Sequence, residues 1–323
     1  MPPCWTSWWT CREKEPSVSQ LISQEPLYSV YFAPRGYARM MQIGRDIAQR
    51  HLTAFDKLIG IIGDAGSGKS LLIRGMFPGL ELTNDDNGVN VRPLPLLDID
   101  DSGFYQAHTY HMDVRFESAF TQLPQLAEAV LIALEKGKRV VIEHFELIYP
   151  LLNFNAALLI GIGDEIIVSR PTVFGPEPDD IAKTVFSSIK YRRMAHTAED
   201  LTEHVLMDHN VGKYTHGDVR RGFFLRFDRV VSIDIPQVLA KVSDMIAQDM
   251  PITYKDPQHI YIGSILHRCT GPRMHVNSTG KVENFRFLND LQYNAMDESY
   301  LLVGLVGNST TNLNRDLNQI IVG

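Results

Sequence analysis

Cysteine is scarce in this chain. Cys4, Cys11 and Cys269 are the three thiols among 323 residues. So few exclude a disulfide framework and point to a reducing, cytoplasmic setting. Long apolar runs are absent too. None approaches the ~20 residues a membrane helix needs, so no membrane partner is expected. The N-terminus lacks the basic-then-apolar layout of a secretory leader. Positive charge is in deficit, with a formal net charge of −7, so any polyanion site must be a local patch. Tryptophan disappears after Trp5, Trp8 and Trp9. Residues 1–25 show no helix or strand period and read as a disordered extension. No internal repeat is visible. What is there is ordinary: 44% hydrophobic and 21% charged residues, in a chain long enough for about two domains.

The strongest signal runs from Gly63 through Asp64, Ala65, Gly66, Ser67, Gly68 and Lys69 to Ser70. It fits G-x-x-x-x-G-K-[ST], the phosphate-binding P-loop. Glycines let consecutive backbone N–H groups turn inward onto phosphate oxygens. Lys69 brings a compact positive charge to the β/γ-phosphates, and the Ser70 hydroxyl can take a Mg²⁺ position. A buried-strand pattern over 57–62 precedes the loop and a helix pattern over 70–77 follows it, as the motif requires. ATP or GTP with Mg²⁺ is the expected cofactor.

Other elements fall around this loop. A short strand is expected over 28–32 and a helix over 38–52. Residues 84–88 form a turn, and 89–97 read as a strand ending in Asp98, Asp100 and Asp101. Carboxylates at a strand's C-terminal end sit where an α/β sheet places its ligand chemistry. One of these aspartates can hold Mg²⁺ through water or accept a proton from a substrate hydroxyl. A helix over 122–134 ends at Lys136-Gly137-Lys138, and a buried strand over 139–145 carries Glu143 at its end, a Walker-B-like acid. Strands alternating with helices imply a parallel sheet covered on both faces. Asp101-Ser102-Gly103-Phe104-Tyr105 resembles the Asp-Ser-Phe-Tyr segment of uridine kinases, with one inserted glycine. That resemblance implies a P-loop kinase fold over 26–190, with Asp101 as base toward a nucleoside hydroxyl.

The boundary to a second domain is placed at the basic cluster Lys190-Tyr191-Arg192-Arg193. His196, Asp200 and His204 follow at i, i+4 and i+8, on one face of a helix. Cys269 and His275 lie far downstream. Thiolate, imidazole and carboxylate together suit Zn²⁺. His204, His209 and His216 are assigned to structural or solvated roles. Residues 192–307 resemble the second additional (editing) domain of alanyl- and threonyl-tRNA synthetases. The family's His-x-x-x-His reads here as His196 with Asp200 in the second position. Its Cys-x-x-x-His reads as Cys269 and His275 with five intervening residues instead of three. The flanks His275-Val276-Asn277-Ser278-Thr279-Gly280 agree with it. The resemblance implies an α+β domain over 191–307, metal ligands His196, Cys269 and His275 with Asp200 as a fourth, and a tRNA acceptor end as partner. Residues 308–323 read as a flexible tail.

The fold expected is thus an α/β P-loop NTPase with a parallel sheet, followed by an α+β domain of the synthetase editing type. Three functions compete. One is an NTP-dependent, kinase-like enzyme acting on a nucleoside, an aminoacyl compound or a tRNA end. Another is an aminoacyl-tRNA hydrolase with a regulatory P-loop. The third is a nucleotide-switched RNA-binding protein using Lys190, Arg192, Arg193, Arg220, Arg221, Arg226 and Arg229.

Overall fold

The computed structural model describes residues 28–83, 94–98, 107–209 and 211–308. The N-terminal extension, the turn at 84–88, Asp101 and the tail beyond 308 lie outside the described residues. Among those described, no helix is long and apolar enough to cross a membrane.

The chain is α/β, with one mixed sheet and two separate antiparallel sheets. The first part runs β1 (Tyr28–Phe32), α1 (Tyr37–His51), β2 (Leu58–Gly63), α2 (Lys69–Met76), β3 (Thr109–Asp113), α3 (Val114–Glu117), α4 (Leu123–Glu135), β4 (Arg139–Glu143), α5 (Phe145–Leu152), β5 (Leu158–Ile162) and β6 (Glu165–Ser169). Their strands order as β1-β6-β5-β2-β4-β3. The four strands β3, β4, β2 and β5 are parallel. The expected parallel sheet is only partly realised, because β6 and β1 are antiparallel. The cause is local. Gly163 and Asp164 alone join β5 to β6, and two residues can make a hairpin but no crossover. The strand expected over 89–97 is not formed in its described part. Pro95–Asp98 is a 3-10 turn, since proline brings no N–H to a ladder.

Alternation along β2 and β4 fills both faces of the sheet. Ile62, Val140 and Ile142 pack with α4 and α5 on one face. Ile59, Ile61 and Val141 pack with α1 and α2 on the other. The last two helices touch backbone to backbone. A Cβ on Gly75 would lie 2.3 Å from the Met41 carbonyl oxygen, and one on Gly44 would lie 2.4 Å from that of Leu72. Side chains at either place would push α2, and the loop before it, off the sheet.

Next come α6 (Pro178–Leu206), β7 (Thr215–Val219), β8 (Gly222–Phe227), α7 (Ile235–Ala247), β9 (Ile252–Asp256), β10 (His259–Ile262), β11 (Ile265–Arg268), β12 (Arg286–Phe287), β13 (Gln292–Asn294) and β14 (Ser299–Leu305). β7, β8, β14 and β12 form one antiparallel sheet, with β13 also paired to β14, and β9, β10 and β11 form the other. The residue boundary drawn at 190/191 falls inside α6, which is continuous for 29 residues. Its first half gives Ile181, Ala182 and Val185 to the first core. Its second half gives Met194, Ala198, Leu201 and Val205 to another core, with Phe223, Leu225 and Val238. One rigid helix is therefore built into both halves.

Candidate functional sites at the glycine loop and on helix α6

β2 delivers the loop from 63 to 68 at the C-terminal end of the parallel strands, and α2 starts at Lys69. Gly68 caps α2 with φ +95°, in the left-handed region. A Cβ there would also lie 2.9 Å from Met40 Cε. The Lys69 ammonium donates to the carbonyl oxygens of Gly63 and Asp64, each at 3.1 Å. It lies 3.7 Å from Glu143 Oε2. The Ser70 hydroxyl donates to Glu143 Oε1 at 3.1 Å. Register explains the meeting, because Glu143 pairs with Ile61 on the strand that feeds the loop. The predicted group of Lys69, Ser70 and Glu143 is thus brought together. Ala65 N–H and Arg193 both donate to the Asp64 carboxylate, which faces the second half.

Sequence reasoning missed His111. It stands on β3, beside β4, with Nε2 3.4 Å from Glu143 Oε1. The Thr83 N–H donates to its Nδ1 at 3.1 Å, which leaves the proton on Nε2, facing the carboxylate. Burial alone would raise the Glu143 carboxyl. The hydrogen bond from His111, then Lys69 and Ser70, outweigh burial and hold its pKa below the usual carboxylate range. Glu143 is thereby kept ionised at neutral pH, which suits cation binding better than proton storage.

The other group centres on Asp200, 1% exposed on α6. Its Oδ2 lies 2.9 Å from His275 Nε2, and that nitrogen lies 3.7 Å from Cys269 Sγ. Tetrahedral zinc, with bonds of about 2.0 Å to N or O and about 2.3 Å to S, needs ligand atoms roughly 3.3–3.7 Å apart. The His275–Cys269 separation falls in that range, the His275–Asp200 separation is shorter, and all three atoms lie within 4.8 Å of one another. His275 Nδ1 faces the Pro272 carbonyl oxygen at 3.3 Å, the kind of outer contact that fixes a ligating imidazole. Burial, then the Asp200 charge, push the Cys269 thiol up, so that only a bound cation would displace its proton readily. The carboxylate, thiol and imidazole therefore fit a zinc ion as three ligands.

His196 does not join them. On α6 it shares a face with Asp200 by spacing, yet its Nε2 faces Asp218 Oδ1 on β7 at 3.6 Å. Burial is the main cause that lowers it to about 3. The expected assignment of His196 as a ligand is corrected accordingly. The histidine that does approach is His267, 1% exposed, 3.8 Å from Asp200 Oδ1 and without a hydrogen bond at either ring nitrogen. A strand period of two puts His267 on the same side as Cys269, and that was the available signal.

Arg35 holds this region from the other half. Its guanidinium is 3% exposed and reaches Asp200 at 2.5 Å, Glu199 at 3.2 Å and Glu203 at 3.5 Å. It also donates to the His196 carbonyl. His216 closes the acidic group, donating from Nδ1 toward Glu199 at 2.9 Å and Glu203 at 3.1 Å. It thus takes a structural role, one of the two expected of it. These two hydrogen bonds push its imidazole from 6.5 up to about 9. A folded-state pKa raised in this way contributes stability that is complete below about 6.5 and lost as pH rises through about 9. Urea titrations at pH 6.5 and 9.5 should show a fall in wild-type stability that His216→Gln reduces. An equal fall in both would remove His216 as the cause.

The basic residues are largely engaged internally. Arg192 is 4% exposed and donates to the carbonyl oxygens of Ser67 and Pro34. Burial is the main cause that lowers it to about 10. Arg193 pairs with Asp64, Arg226 with Asp297, and Arg221 stacks over Tyr191. Arg192 and Arg193 tie the halves together.

No protein-family model matches this chain, and a search of curated proteins finds no significant match.

Proposed function

We propose that this protein binds a nucleoside triphosphate with Mg²⁺ at the glycine loop and transfers a phosphoryl group, in the manner of P-loop kinases. The observation that carries the reading is the meeting of Lys69, Ser70 and ionised Glu143 at the N-terminus of α2. The loop N–H groups and Lys69 would hold the phosphate oxygens, and Ser70 with Glu143 would hold the metal. Mg²⁺, when bound, neutralises charge developing on the transferred group. An acceptor hydroxyl would attack the γ-phosphorus, and the bond to the bridging oxygen would break. Its proton would go to a base, for which Asp101 is the proposed residue. Glu143, with its lowered pKa, positions and does not take the proton. Calorimetric titration with MgATP and MgGTP should give a dissociation constant below about 1 mM. No heat of binding for either at several millimolar would end this reading.

A second reading is favoured by Asp200, Cys269 and His275. Zinc held by these three would suit water-driven cleavage of an aminoacyl ester, as in the synthetase editing domains that 192–307 resembles. Zinc would polarise the ester or orient the water. Mass spectrometry should find about one zinc per chain in wild type and a near-complete loss in Cys269→Ala. Wild type without zinc would reduce this half to a recognition fold. Under this reading, ester hydrolysis would survive Lys69→Ala and fail in His275→Ala.

A further inference from the structure

The two candidate sites are not on separate faces. A cavity of about 270 Å³ opens between the glycine loop and the segment that joins Cys269 to His275, lined on one side by the loop from Gly66 to Ser70 with Tyr37, Leu71 and Arg74. Its other wall comes from the second half, from Tyr254 on β9 and residues 270–274. The approach is close, since a Cβ on Gly66 would lie 3.2 Å from the Arg273 carbonyl oxygen. The Arg273 guanidinium lies over the Tyr254 ring at 5.2 Å. Tyr37 and Tyr254 stand half-exposed in these walls, at 54% and 46%.

We infer that the second half completes the nucleotide site, and that the cavity takes the base and ribose of the triphosphate whose phosphates sit on the glycine loop. This rests on the reading of that loop as a phosphate site. Three features support it. The cavity is contiguous with Lys69 and Ser70, so a group bonded to the phosphates enters it without a break. Its volume suits one nucleoside-sized group and is too small for a folded polynucleotide end. Its tyrosines, and the arginine stacked on one of them, offer planar faces to a base. Every base has a π-face, so such a wall gives affinity with little choice among bases. ATP and GTP should therefore bind alike.

The wall also has a consequence for the other site. Residues 270–274 are the whole connection between Cys269 and His275. The five residues that depart from the shorter family spacing are the ones that face the nucleotide cavity.

The test is calorimetry on the full chain with two probes, MgATP and magnesium tripolyphosphate. Tyr254→Ala removes a half-exposed ring and leaves the core intact. It should weaken MgATP by roughly 10- to 100-fold and leave tripolyphosphate unchanged. Tyr37→Ala should act in the same direction. Lys69→Ala should weaken both probes. If Lys69→Ala weakens both while both tyrosine variants bind MgATP within twofold of wild type, the loop reading stands and the shared-cavity inference falls. If Lys69→Ala weakens neither, the loop reading falls, and the inference with it.

Discussion

In Lys69→Ala, phosphoryl transfer from ATP should drop about 10²- to 10³-fold. Lys69 is 6% exposed, and its ammonium is aimed at the mouth of the loop by two carbonyl oxygens. A charge fixed there costs little reorganisation as charge builds on the transferred group, so its loss should be felt in turnover beyond its effect on binding. Lys69→Arg should not restore the rate. A guanidinium is a planar fork, and the site accepts a compact point charge between two carbonyls. The fold should survive, because Glu143 keeps His111 and Ser70 as partners. Single-turnover phosphate release, measured beside circular dichroism, checks both statements. A native spectrum with a rate within threefold of wild type would show that Lys69 does not act on the transferred group. Glu143→Gln separates the other role. It retains shape and loses charge, so Mg²⁺ dependence should shift to higher concentration, and the shift is read from a magnesium titration of the same rate.

The glycine loop was legible because its parts are consecutive. Eight adjacent residues carry the bends, the charge and the hydroxyl, and the flanking strand and helix are local patterns as well. Glu143 was legible for a related reason, since an apolar strand ending in an acid announces itself. His111 was not, because nothing in its own neighbourhood marks it. It becomes relevant through the pairing of β3 with β4. β3 itself was passed over, and the strand was sought over 89–97, where proline breaks the ladder. The long helix α6 shows the opposite failure. From Met194 to Thr202 every residue is buried, including Glu199 and Asp200. Helical spacing treats such polar residues as one solvated or ligating face. The packing instead sends His196 toward Asp218 and Asp200 toward His275. Arg35 gave no motif at all, and His267 only its two-residue spacing from Cys269. They are placed by contacts between segments more than 60 residues apart, and spacing along a chain does not encode those.

Arg35→Met should give the largest loss of stability, about 3–5 kcal/mol, with a fall in Tm on the order of 10 °C. The reason lies in what it compensates. Burial opposes its charge, yet Asp200 and then Glu199 hold its pKa above that of an ordinary guanidinium. Removing it leaves Glu199 and Asp200, 0% and 1% exposed, as buried carboxylates with only histidine side chains facing them. Arg35→Lys should fall between. One ammonium keeps the charge but cannot span Asp200, Glu199 and the His196 carbonyl together. Adding Asp200→Asn to Arg35→Met should recover part of the loss, because it removes the carboxylate closest to the missing cation. Denaturant unfolding of the four proteins reads the cycle, and strict additivity would mean that Arg35 acts by packing alone. Packing does contribute, since the arginine stem lies against Gly271, where a Cβ would come within 2.4 Å of Arg35 Cγ. Gly271 belongs to the segment between Cys269 and His275. The same substitution should therefore loosen the segment that positions Cys269 and His275 against Asp200.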